Sequence, residues 1–218
     1  MHQYIVPLIA FLATSIVFTL TPGLDTVMIL RTAAGDGRKM GMGAVCGIAI
    51  GLGIWGLAAA LGLTALLEAS KTAFFLLKCA GAVYLTWLGL HSLIRPRTSF
   101  ATEIKKVSPR VSKIKTGPFG IGIRRGLMTD LLNPKAGIFI MTFFPQFIPP
   151  HTNVALFTLI MTAIQMILAF LWLSLLVILT VPLGGILKKP AVVKCLDRLS
   201  GIVFIGFGIK IFMTRNPI

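Results

Sequence analysis

Among the ionisable side chains that interrupt apolar runs of this 218-residue chain, three lie at or near prolines that break a helix: Asp25, Asp130 and Lys135. Asp25 closes Thr21-Pro22-Gly23-Leu24-Asp25, and Lys135 sits in Leu132-Asn133-Pro134-Lys135-Ala136-Gly137. Each segment puts a proline beside an ionisable residue. Proline removes a backbone donor and clashes with the preceding turn, so a helix breaks there. In lipid the freed backbone groups find no water, so such a break must face protein or a wet cavity. Half-helix N-termini then attract carboxylates, and C-terminal carbonyls attract cations or ammonium groups. A free amino acid carries one group of each sign, and a matched pair of breaks offers a site for both.

Each residue has more than one reading. Asp25 is an ammonium contact or a proton-coupling carboxylate, or else the N-cap of the helix restarting after Pro22-Gly23. Lys135 is a contact for a substrate carboxylate or part of a gating ion pair, or a structural partner of Asp25 or Asp130. Asp130 suits a cap or interfacial role as well as a functional one. Asn133 caps the second restarted helix or hydrogen-bonds substrate. Thr21, Pro22, Gly23 and Pro134 shape the breaks. Gln165, the one amide in its run, is expected to make an interhelical hydrogen bond.

The elements that hold these residues must be membrane helices. Apolar residues make up 56% of the chain and charged ones only 12%, with a mean hydropathy of +0.92. Such a chain cannot cover a soluble surface with polar groups, so lipid is its solvent. Six apolar stretches stand out, at about 4–30, 41–67, 72–94, 126–148, 154–183 and 199–213. The expected fold is therefore all-α, with about six transmembrane helices in one domain over 1–218. Because the first stretch lacks a basic leader and a cleavage site, it is expected to be a retained span.

The net charge of +15 follows this layout. Arg31, Arg38 and Lys39 follow the first stretch, nine bases lie between Arg95 and Arg125, and Lys188, Lys189, Lys194 and Arg198 follow the fifth. The positive-inside rule puts these loops in the cytoplasm and both termini outside. The stretch 95–125, basic and poor in apolar residues, is expected to be a cytoplasmic linker between repeat one (about 1–95) and repeat two (126–218). Two features suggest the repeat. A break opens each half, and Lys78, Gly81, Tyr84 and Trp87 align without gaps on Arg198, Gly201, Phe204 and Phe207. Three spans per half is an odd number, so the second half would insert upside down. Gly43, Gly47 and Gly51 form a smooth stripe for a close helix partner, in the same chain or in a homodimer.

Other chemistries lack their signatures. There is no stacking or groove-reading motif for nucleic acid and no Walker motif for ATP hydrolysis. Paired acids, H-E-x-x-H and Ser/His arrangements are missing at usable spacing, which argues against an enzyme. His2, His91 and His151 are scattered, and Cys46, Cys79 and Cys195 match no metal, haem or redox spacing. No metal or cofactor is expected. A secondary transporter of amino acids is the leading reading, and a transporter of a metal cation or another small toxic solute is the alternative.

Five blocks in this chain resemble the LysE/RhtB family of amino-acid exporters: T-P-G-L-D at 21–25, G-R-K-M-G-M-G-A-V-C-G-I-A-I-G at 37–51, L-K-C-A-G-A-V-Y-L-T-W-L-G at 77–89, R-R-G-L-M-T-D-L-L-N-P-K-A-G at 124–137 and F-F-P-Q-F at 143–147. The resemblance covers nearly the whole chain. It implies about six spans in the bacterial inner membrane. It also implies export of amino acids such as homoserine, threonine, leucine or a basic one, by proton antiport. The motif residues it carries over are Pro22, Gly23, Asp25, Asn133, Pro134 and Lys135. The family commonly reads P-G-P-D, and here Leu24 replaces the second proline.

Overall fold

The computed structural model describes residues 2–21, 23–94 and 117–187, with isolated positions between 191 and 206. Those segments are helical apart from short turns and one 3-10 turn, Phe144–Phe147. A bent pair, α1 (His2–Leu20) and α2 (Leu24–Gly35), comes first, followed by α3 (Arg38–Ala69) and α4 (Lys71–Ile94). A second broken helix follows, α5 (Pro118–Leu131) and α6 (Pro134–Phe143), and then α7 (Val154–Leu187). Helices therefore occupy five of the six expected stretches. The sixth, with the Arg198–Phe207 half of the aligned pattern, falls outside the described residues except at isolated positions.

Among the described residues, Arg38–Leu66 and Val154–Leu179 are long and apolar enough to cross a membrane, and the pair Tyr4–Leu20 and Leu24–Gly35, bent by 50°, makes a third candidate. The 32 residues of α3 reach about 48 Å at ~1.5 Å per residue, more than a hydrocarbon core of ~30 Å. Large apolar side chains also face outward, among them Val6 and Ile9 on α1, Leu57 and Leu61 on α3 and Ile167 and Leu171 on α7. Water would penalise that surface and lipid does not.

Contacts fix the helix directions. Tyr4 lies beside Phe157 and Thr19 bonds Gln165, so α1 and α7 run parallel. Gly41 meets Val177 and Gly56 meets Thr162, so α3 runs against α7. Gly43 faces Phe119 and Gly51 faces Asp130, so α3 and α5 run together. The first and fifth apolar stretches thus point one way, and the second and fourth point the other, as successive crossings require.

The glycine stripe drives the tightest of these packings. A Cβ at Gly43 would fall on the Phe119 carbonyl, and one at Gly47 on the Ile123 carbonyl. Gly122 and Gly126 on α5 answer it, pressed against the backbone at Met40 and Ala44. Small residues on both sides let the two backbones touch. The expected alternative, a homodimer through Gly43, Gly47 and Gly51, is therefore corrected: α5 of the same chain already covers that face.

Two expected boundaries also move. The fourth span begins at Pro118 rather than Gly126, so residues 118–125 of the expected linker are helical. Pro118 suits a first helical turn, and its helix packs on α3 while Arg125 pairs with Asp36. The first span runs on to Gly35, so Arg31 lies on a helix, and the turn to α3 is only Asp36-Gly37. Gly37 holds φ at +93° there, a conformation in which a side chain would be strained.

Candidate substrate site at the two helix breaks

Both breaks occur where their sequences dictate. Asn133 stands before Pro134, which disfavours the α conformation for it. It takes φ −84° and ψ 103°, and its side chain caps α6 by accepting from the Lys135 backbone N–H at 3.1 Å. Pro134 occupies the first turn of α6, where no donor is missed. At the other break, Thr21 is buried and its hydroxyl donates to the Val17 carbonyl at 2.7 Å. The N-cap of α2 is Gly23, which makes no side-chain cap bond, and Asp25 lies in the first turn. The N-cap reading of Asp25 is thus corrected, although its charge still complements the helix dipole. Pro22 lies outside the described residues.

One side chain joins the breaks. The Asn133 amide nitrogen donates to Asp25 Oδ2 at 3.1 Å while its oxygen caps α6. Asn133 is 2% exposed, so both ends of its amide are committed in a buried setting. Trp55 on α3 spans the second break: its indole N–H reaches the Asp130 carbonyl at 3.4 Å, and its ring lies against Gly137. The backbone carbonyl at that break thereby has a protein donor, as low-dielectric surroundings demand.

Lys135 extends to the opposite break. Its Nζ lies 4.5 Å from the centroid of the Phe18 ring, and Phe18 stacks on Phe139 at 3.6 Å. A methyl group at Gly23 would lie 3.6 Å from that Nζ. The ammonium is also within Coulombic reach of the Asp25 carboxylate. A cation over an aromatic face, beside an anion, has two stabilising neighbours in place of water.

These residues line one cavity. Thr21, Gly23, Asp25, Asn133 and Lys135 border it, and α7 closes it with Gln165, Ala169, Trp172 and Leu173. Its free volume is about 50 Å³, enough for a few water molecules, each needing only ~10–15 Å³ by this kind of measure. A bound amino acid would need the walls to part. Gln165 makes the expected interhelical bond, donating to Thr19 Oγ1 at 3.0 Å, and it also borders the cavity.

Asp130 stands apart. It is fully buried, does not border the cavity, and neither carboxyl oxygen has a hydrogen-bond partner. It packs against Gly51 and lies within Coulombic reach of Asp25. The structure therefore gathers Thr21, Gly23, Asp25, Asn133 and Lys135 at one site and places Asp130 behind it. Phe18, Thr19, Ala169 and Trp172 were not legible as site residues. The only signal was Gln165, with Ala169 and Trp172 one and two turns further along its helix face.

The family model described as LysE type translocator matches residues 16–215. A leucine efflux protein of Salmonella choleraesuis is 33% identical, over 94% of this chain and 94% of its own length. The uncharacterized membrane protein YrhP of Bacillus subtilis is 28% identical, over 93% and 97%. An uncharacterized membrane protein of Vibrio cholerae is 30% identical, over 95% and 97%. No solved structure matches the chain.

Proposed function

The chain belongs to the LysE-type translocators, membrane transporters rather than enzymes, and we propose that it exports a neutral aliphatic amino acid from the cytoplasm by proton antiport. The observation that carries this reading is the convergence of two restarted helices on one cavity, one bringing Asp25 and the other Lys135. Lys135 and the helix N-termini take the substrate carboxylate, and Asp25 takes the ammonium. Ile48, Leu52, Ala136 and Leu173 supply apolar wall for a side chain. The relative named as a leucine efflux protein supports the same substrate class.

Transport follows from the narrowness of the cavity and its widening. At about 50 Å³ the site is too small for an amino acid, so substrate enters and leaves as the helices part on one side at a time. The opposed directions of α1 and α5 support an inverted repeat, whose halves rock against each other about a midplane site. Asp25 in the cavity wall and Asp130 buried behind it, within Coulombic reach of each other, are the proposed proton carriers. The distribution of bases supports a bacterial inner-membrane topology with both termini outside.

The test is the amino-acid profile of medium around cells overproducing the protein, beside cells carrying Lys135→Ala. Selective accumulation of an aliphatic amino acid, lost in the variant, is expected. An unchanged profile, with the protein present in the membrane, would refute amino-acid export and direct the next panel to metals and toxic organic solutes. If Asp25→Asn leaves export and its pH dependence intact, Asp25 is not a proton carrier.

A further inference from the structure

The cavity wall on α7 has features that the two breaks do not explain. Gln165, Ala169 and Trp172 are spaced i, i+4 and i+7, so they share one helix face, and all three border the cavity. Gln165 is 2% exposed. Its amide nitrogen is held by Thr19, which orients the side chain, while its Oε1 is buried with no hydrogen-bond partner. A buried carbonyl oxygen without a donor is costly, and such an atom beside a cavity is ready for a donor that arrives there.

Asp25 Oδ1 is likewise buried without a hydrogen-bond partner. The cavity thus holds two orphan acceptors, one charged and one neutral, and an ammonium carries several N–H donors that need acceptors. Trp172 Nε1 is a buried orphan donor. Seven residues separate it from Gln165, about 10 Å along the axis, too far for the pair to grip both charged groups of one amino acid. Between them Ala169, 6% exposed, is the smallest side chain on this face.

Resting on the export reading above, we propose that this face of α7 selects the substrate: Gln165 Oε1 accepts from the ammonium beside Asp25, Ala169 leaves room for a branched aliphatic side chain, and the Trp172 ring closes that space. Selectivity then lies on α7, away from the breaks. Neutral binding and size discrimination are divided between two residues one helical turn apart.

Purified full-length protein in proteoliposomes, assayed by counterflow of labelled L-leucine with L-alanine and L-phenylalanine as competitors, tests this. Ala169→Val is expected to raise the leucine KM at least tenfold while changing that for alanine less than threefold. Ala169→Gly is expected to improve competition by phenylalanine about tenfold. Gln165→Leu is expected to raise KM about tenfold for all three with kcat little changed, and Thr19→Val, which unfixes the amide, to do so about threefold. Leucine counterflow by the unaltered protein, with the alanine:leucine:phenylalanine preference unchanged in both Ala169 variants, would overturn the inference and leave the export reading standing. If Ala169→Val fails to assemble, the Ala169→Gly and Gln165→Leu results decide. Absence of any amino-acid counterflow by the unaltered protein would overturn the export reading itself.

Discussion

Asn133→Ser removes the bond to Asp25 while leaving a helix cap in place. Serine is a good N-cap, but its hydroxyl is too short to span the 3.1 Å contact that the longer amide makes across the two breaks. Asn133→Ala removes both functions. Loss of a cap costs about 1 kcal/mol. A hydrogen bond to a carboxylate contributes ~1.5–3 kcal/mol in soluble proteins, and interhelical bonds in membranes reach at most ~1.7, so about 1.5 kcal/mol is assigned to the Asp25 contact. Unfolding in mixed micelles should then show Asn133→Ser destabilised by about 1.5 kcal/mol and Asn133→Ala by about 2.5. A double-mutant cycle with Asp25→Ala should return a coupling of about 1.5 kcal/mol, because either change removes the same bond. Export by Asn133→Ser should fall at least tenfold, since Asp25 loses the group that holds it. Equal destabilisation by serine and alanine would show that capping contributes nothing. Full export by Asn133→Ser, with no coupling in the cycle, would show that the link between the breaks does not position Asp25.

Other substitutions probe the frame around the site. Gly47→Leu should prevent stable assembly, because its side chain would have to displace the α5 backbone, whereas Gly62→Leu, with no atom nearby, should leave membrane levels unchanged; immunoblots of membrane fractions compare them. Gly23→Ala should cost under about 1 kcal/mol, since φ −135° suits any residue and the added methyl meets Lys135 at ordinary contact distance; thermal melts in detergent check this. Asp36→Asn breaks the ion pair with Arg125, whose partners are 42% and 32% exposed. It should cost less than about 1 kcal/mol, with the difference shrinking further in high salt.

The sequence by itself determined what local chemistry controls. Its apolar composition demanded lipid as solvent, and Pro22 and Asn133-Pro134 marked where helices cannot continue, since proline's effect reaches only its neighbours. The four-residue glycine spacing at 43, 47 and 51 announced a close helix contact, because helical periodicity puts those positions on one face. Tertiary structure decided what depends on the rotation and neighbours of each helix. It turned the glycine stripe toward α5 and put Asp130 behind the cavity rather than in its wall. It also brought Gln165 and Ala169 to a site more than a hundred residues from Asp25. The start of α5 at Pro118 was a tertiary result as well: Arg124 and Arg125 made residues 118–125 look like linker, whereas they form a helix that packs on α3 and pairs Arg125 with Asp36. Which side chains share a cavity is set by how helices cross, and a single chain's residue order does not contain those crossing angles.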